Sequence, residues 1–220
     1  MQDKIEYIVE RALKYDLKPR IPGYYYVTDL VGCSAKCFFL YYFNANPHPR
    51  GEMVMGRLMH IALEKILSGI EEFREAEFEV PVVYDAGEIK IIGRIDVKIG
   101  DVIYEFKLTG HSIFEETGVP ETYIAQANAY AVMSNAKEYN IVMVDRRSFK
   151  VKVYGPMKPD RIAFEELVKR ALRIHTCVKE GRIPREESPL YEWECETKRT
   201  KHKCPFHIVC PNYKGGRLGG

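Results

Sequence analysis

Asp96, Glu105 and Lys107 stand in the stretch EIKIIGRIDVKIGDVIYEFKLTG, residues 88–110. The stretch reads as two adjacent strands around a Gly100-Asp101 turn. Ile89, Ile91, Ile95, Val97 and Ile99 supply mostly alternating β-branched residues before the turn, and Val102-Ile103-Tyr104 open the second strand after it. Glu105 and Lys107 lie two residues apart on a strand and so share a face; a hairpin can bring Asp96 beside them. Two carboxylates and an ammonium make a poor apolar core and a good divalent-cation site, with the lysine holding a water or phosphate. Charged strand faces are also ordinary solvent-facing surface, so the companions of this trio decide between the two readings.

Gly56, His60 and Glu64 recur at four-residue spacing within a helical stretch and line one stripe of it. Glycine allows close backbone approach, and histidine can ligate a metal or contact phosphate; a half-buried surface histidine would look the same in isolation. Gln126 and Tyr130 sit one turn apart in QANAY. Such a pair can hydrogen-bond phosphate and stack on or position a nucleotide; equally, Tyr130 can simply pack on a sheet.

The elements that must position these residues follow from periodicity. Ile5, Ile8, Val9, Ala12 and Leu13 predict a helix over 3–15, broken by Pro19, Pro22 and Gly23. Thr28 and Asp29 can cap a second helix running through Cys33 and Cys37 into the aromatic run FFLYYF. A helix over 52–67 places Met55, Leu58, Met59, Ala62, Leu63 and Ile66 on its apolar face. A strand over 77–84 leads into the central hairpin, and a loop with Gly110, Gly118 and Pro120 leads into a helix over 121–134. Strands at 141–144 and 150–154 precede a long helix over 159–179 with Phe164, Leu167, Ala171, Ile174 and Val178 inward. This order implies an α/β sheet flanked by helices.

A chain of 220 residues suits one domain spanning 1–220, and 46% hydrophobic with 29% charged residues supports a real core. Net charge is only +2, so any nucleic-acid surface must be local. No apolar run reaches membrane-span length, and the N-terminal stretch is amphipathic and charged rather than a secretory signal; a cytoplasmic location with no membrane partner is expected. Six cysteines then point to metal or redox use rather than a disulfide framework. Cys204 and Cys210 each precede proline, Cys195 lies upstream, and Cys33 and Cys37 lie near the N-terminus. Four thiolates can hold iron–sulfur or zinc, and the spacing does not separate these. Cys177 reads as a small buried hydrophobe beside the inward stripe of the long helix. Residues 197–220 carry six Lys or Arg and no acid, either a solvated tail or a phosphate-contacting edge.

Together, G-x3-H-x3-E, G-R-I-D, E-F-K and Q-x3-Y resemble the RecB-like branch of the PD-(D/E)XK nucleases over roughly residues 28–154. The resemblance implies a restriction-endonuclease-like core at about 52–154, a mixed β-sheet flanked by helices. It implies that His60, Asp96 and Glu105 hold Mg2+ or Mn2+, with the backbone carbonyl of Phe106 as a further ligand. Asp96, Glu105 and Lys107 would be catalytic, Lys107 orienting or activating the attacking water, and Gln126 and Tyr130 would bind the substrate strand. The split cysteines are similar to those of iron–sulfur nucleases of the RecB and AddB type, most closely the short CRISPR-associated RecB-like exonucleases. C-S-A-K-C-F-F-L is similar to that group's Cys-x-Arg-Lys-aromatic pattern, with Cys33 in the Cys position. This implies that Cys33, Cys195, Cys204 and Cys210 hold a 4Fe–4S cluster joining the N- and C-terminal segments, 28–43 and 185–213. Cys37 is the alternative to Cys33, and 2Fe–2S or zinc the alternative to the cluster. The chain keeps Cys204-x5-Cys210, but Lys201 stands where the group's Cys-x2-Cys-x5-Cys ending has a cysteine, so Cys195 must supply that thiolate from a longer loop.

The expected function is that of a metal-dependent exonuclease on single-stranded DNA, processing DNA before spacer integration in CRISPR adaptation beside an integrase complex. A stand-alone repair or viral RecB-like nuclease is the near alternative. A non-catalytic iron–sulfur DNA-binding module is the distant one, and the intact Asp96, Glu105 and Lys107 speak against it.

Overall fold

The computed structural model describes residues 2–14, 19–47, 51–109, 118–184, 194–197 and 202–214. In chain order the elements are α1 (Gln2–Lys14), β1 (Tyr24–Tyr26), α2 (Val27–Leu30), α3 (Ser34–Tyr42), α4 (Gly51–Leu67), β2 (Ala76–Asp85), β3 (Lys90–Ile99), β4 (Val102–Thr109), α5 (Glu121–Met133), β5 (Glu138–Asp145), β6 (Val151–Met157) and α6 (Arg161–Glu180). The proposed sulfur region at 185–213 and the loop glycine Gly110 lie partly or wholly outside the described residues.

The strands form one mixed six-stranded sheet. β2 runs antiparallel along the whole of β3. The other edge of β3 is shared: β1 pairs in parallel with Lys90–Ile92, and β4 pairs antiparallel with Val97–Ile99 only. Between these two contacts β3 and β4 separate, and the gap falls at Gly93 to Asp96. β4 continues in parallel with β5 across the α5 connection, and β6 closes the edge. The short β1 does not stand out in the sequence as a strand. Its three tyrosines follow Gly23, whose φ of +97° turns the chain so that the Gly23 carbonyl accepts from the Lys90 amide at 2.7 Å.

Two apolar layers sandwich the sheet. The larger holds Ile91, Ile95, Ile103, Ile141 and Met143 against α3, α5 and α6, with Phe164, Leu167, Ala171, Ile174 and Val178 of α6 buried as their spacing predicts. The smaller holds Val97, Phe106, Val142 and Val144 against Met59, Leu63 and Leu67 of α4. Ile95 and Val97 therefore enter opposite layers, although residues two apart on a regular strand share a face. On β2 the same exchange separates Val80 from Phe78. The β2–β3 ribbon turns over at Asp96, and across it Glu79 takes a left-handed φ of +52°. The simple alternation expected for β3 breaks at Asp96.

α4 departs from the expected apolar face. Met59 and Leu63 pack inward, while Met55, Leu58, Ala62 and Ile66 are exposed. The helix is rolled so that the stripe of Gly56, His60 and Glu64 is half-buried instead. Cys177 is buried on α6, as its spacing predicts. Among the described residues no helix is long and apolar enough to cross a membrane.

Candidate active site

The gap between β3 and β4 is where the sequence-predicted residues meet. Asp96 is the first residue of β3 beyond its ladder with β4, and its side chain takes over where the backbone pairing stops: Oδ2 accepts from the Phe106 amide at 2.7 Å. The other oxygen, Oδ1, lies 3.1 Å from Nδ1 of His60, delivered by the inward stripe of α4. Burial lowers the His60 pKa, but the hydrogen bond and charge of Asp96 outweigh it and hold the imidazole above its ordinary value.

Glu105 and Lys107 point to the α5 side of β4. Glu105 is 1% exposed. Its Oε1 accepts from Lys107 Nζ at 2.8 Å and from Gln126 Nε2 at 2.6 Å. Lys107 also donates to Gln126 Oε1 at 2.9 Å, so Gln126 bridges both members of the pair with the two ends of its amide. Nζ lies 5.0 Å from the centre of the Tyr123 ring, a cation–π contact. Burial pushes the Glu105 carboxyl up, and the Asp96 charge adds to this. Burial works against the Lys107 ammonium, yet the charges of Glu105 and Asp96 keep its pKa raised.

Tyr130 is buried. Its hydroxyl accepts from Gln126 Nε2 at 3.3 Å and from the Arg94 amide, which fixes the amide orientation of Gln126. The ring lies directly on Gly93, where any Cβ would sink into it. That contact explains the glycine of G-R-I-D: only a bare backbone lets Tyr130 close over the split in the sheet.

Sequence reasoning missed Glu79. The β2–β3 register on either side sets it opposite Asp96, and the ligand atoms of His60, Glu79 and Asp96 all lie within 4.8 Å of one another. Burial raises the Glu79 pKa while the Arg94 guanidinium, paired with it, lowers it. The signal was an acid in the middle of an apolar strand, FEVPVV, whose partner only the register reveals. Glu105 stands outside this triad, but its Oε2 is buried with no hydrogen-bond partner. A buried carboxylate oxygen without a hydrogen-bond partner, on a residue whose carboxyl feels the charges of Asp96 and His60, fits a divalent cation held chiefly by carboxylate oxygens.

At the other end, Cys33 is the N-cap of α3, and Cys33 and Cys195 are buried. Cys204 and Cys210 are half-buried against the main core. Burial raises the thiol pKa of Cys195, Cys204 and Cys210, and each also feels the charge of Cys33. Each of the three sulfurs accepts a backbone amide: Lys214 to Cys195 at 3.4 Å, Phe206 to Cys204, and Asn212 to Cys210. Cys37 is wholly buried beside Asp29 and Arg170. Phe206, between Cys204 and Cys210, stacks on Phe39 at 5.1 Å and ties the C-terminal segment to α3.

No protein-family model matches the chain, and no curated protein matches its sequence. Its fold does have solved counterparts. SSO0001 superposes with a TM-score of 0.69 at 21% identity, covering 96% of this chain and 97% of that one. LHK-Exo in complex with dAMP gives 0.56 at 14% identity over 73% of this chain and 90% of that one. A second structure of LHK-Exo, an alkaline exonuclease from Laribacter hongkongensis, gives 0.54 at 13% identity with the same coverage. At these identities the likeness is one of fold: the chain shares with these structures an α/β architecture in which helices flank a mixed sheet.

Proposed function

We propose that the chain is a metal-dependent exodeoxyribonuclease that hydrolyses single-stranded DNA from an end. The observation that carries this is the buried Glu105 Oε2 with no hydrogen-bond partner, on a carboxyl that pairs with Lys107 and feels the charges of Asp96 and His60, beside the His60, Glu79 and Asp96 group. His60, Asp96 and Glu105 would hold Mg2+ or Mn2+, with Glu79 and the Phe106 carbonyl as further donors. The chemistry such an ion supplies when bound is neutralisation of the scissile phosphate and acidification of a water. Lys107, kept cationic by its carboxylate neighbours, would orient the attacking water and offer its charge to the anionic phosphate. Gln126 and Tyr130 would bind the substrate strand, and Gln126, itself bonded to Tyr130, also holds Lys107 and Glu105 in place. A fold like that of an exonuclease crystallised with dAMP supports DNA as the polymer.

The reading extends to an iron–sulfur cluster on Cys33, Cys195, Cys204 and Cys210. Backbone amides aimed at three of the sulfurs support it, since such donors stabilise metal-bound thiolate. Cys37, walled in beside Asp29, is the weaker donor. The role we attach to the whole is DNA processing before integration in CRISPR adaptation, supported by the sequence resemblance.

Linear and circular single-stranded DNA of one sequence, incubated with Mn2+, test the exonuclease reading. Degradation of the linear form with the circle spared is expected; cutting of the circle at a similar rate would overturn it.

A further inference from the structure

The turn from β5 to β6, Asp145 to Lys150, has no part in the chemistry above. It is closed by backbone and one acid: Asp145 Oδ1 accepts from the Arg147 and Ser148 amides at 2.6 and 3.1 Å, and the Lys150 carbonyl accepts from Asp145 at 2.9 Å. The side chains of Arg146, Arg147 and Lys150 are exposed and are not needed to close it. Lys152 follows on β6, 4.8 Å from the Tyr154 ring centre. None of these four cations forms an ion pair among the described residues, and Asp145, the acid of the turn itself, is engaged by backbone amides.

Phe149 sits at the tip with φ +55° and is 68% exposed. A left-handed conformation is one that glycine and asparagine adopt readily and a bulky side chain does not. A residue this exposed also buries little apolar surface. The fold gains nothing from phenylalanine here, and strain combined with exposure points to a ligand.

The turn is also well placed. The Arg146 amide bonds to the Thr109 carbonyl at 2.9 Å, and Thr109 lies two residues beyond Lys107 on the same strand face. The turn therefore begins about 7 Å along the strand from Lys107. We infer that it is a second contact for single-stranded DNA, Phe149 offering a face to a base and Arg146, Arg147, Lys150 and Lys152 taking the flanking phosphates. The inference rests on the nuclease reading of the Glu105–Lys107 site. Aromatic stacking between cations is how sequence-tolerant single-strand binding is built.

The test is fluorescence anisotropy of labelled oligothymidylate of roughly 15 nucleotides, in EDTA so that no hydrolysis occurs. Phe149→Asn suits the backbone and should melt no lower than wild type, yet bind about tenfold more weakly; Phe149→Trp should restore affinity. Arg147→Gln with Lys150→Gln should flatten the slope of log K against log salt by about 1.4. Wild-type affinity and salt slope in these variants would overturn the inference while leaving the nuclease reading intact. Self-association lost in Phe149→Asn with DNA affinity unchanged would overturn it in favour of a protein interface. A wild type that neither binds nor cuts DNA would overturn both.

Discussion

His60, Glu79 and Asp96 meet because strand register and one helix stripe bring them together, whereas Cys33 comes within electrostatic reach of Cys195, Cys204 and Cys210 where the two ends of the chain pack. The first set lies between the sheet and α4, with Gln126, Tyr130 and the Phe106 amide locking its neighbours. The second is held by little regular structure: an isolated bridge between Glu196 and Lys203, backbone amides on sulfur, and Phe206 on Phe39. The difference separates two kinds of dependence. The carboxylate site is positioned by a fold that stands without it, so losing a donor costs chemistry. A cluster at the sulfur end, as proposed, would close a loop of most of the chain, so losing a donor there would cost stability, and that cost grows with loop length.

The sharpest way to break this contrast is at Asp96 and Lys107, the residues proposed to be catalytic. Asp96→Asn and Lys107→Met should each lower cleavage of single-stranded DNA by about 10³-fold while thermal melting by circular dichroism stays at the wild-type midpoint. A collapse of the fold in either would show that the site is also structural. Next comes Cys204→Ser, expected to remove bound iron and lower stability by about 3 kcal/mol, or roughly 6–12 °C for a chain of this length. Cys177→Ser should keep the iron. If Cys37→Ser bleaches the protein and Cys33→Ser does not, the two N-terminal thiolates exchange roles.

A smaller effect should follow from Glu79→Gln, which leaves the other donors in place. Mn2+ affinity by titration calorimetry should fall roughly 10- to 100-fold; unchanged affinity would remove Glu79 from the donor set. Smallest is Gly93→Ala, which forces Tyr130 off the sheet. About 1–2 kcal/mol of stability should be lost, with a matching loss of cleavage as Gln126 loosens. A variant destabilised but fully active would show that Tyr130 packs the gap without positioning the pair.

Much of the site was legible in the sequence because its parts repeat at fixed periods. The hairpin, the long α6 stripe, the four-residue spacing of Gly56, His60 and Glu64, and the one-turn spacing of Gln126 and Tyr130 are local patterns that the fold preserves. What was not legible depends on pairing or on exposure. Glu79 acquires its place from the β2–β3 register, which no local pattern encodes. The exchange of layers between Ile95 and Val97 breaks the two-residue period at the point where Asp96 must face His60. On α4, apolar composition marked a wide face, but the sheet selects only Met59 and Leu63 of it, since the half-buried His60 stripe takes the rest. The three-residue β1 is too short for any period to show.

The most direct test of the central claim is nucleotide release from end-labelled single-stranded DNA by wild type and Glu105→Gln, each with Mn2+ and again after chelation. Release by wild type that requires Mn2+, stops on chelation and is absent in Glu105→Gln is the expected result. Release that survives chelation, or that Glu105→Gln sustains at the wild-type rate, would contradict the assignment of Glu105 Oε2 to a catalytic metal.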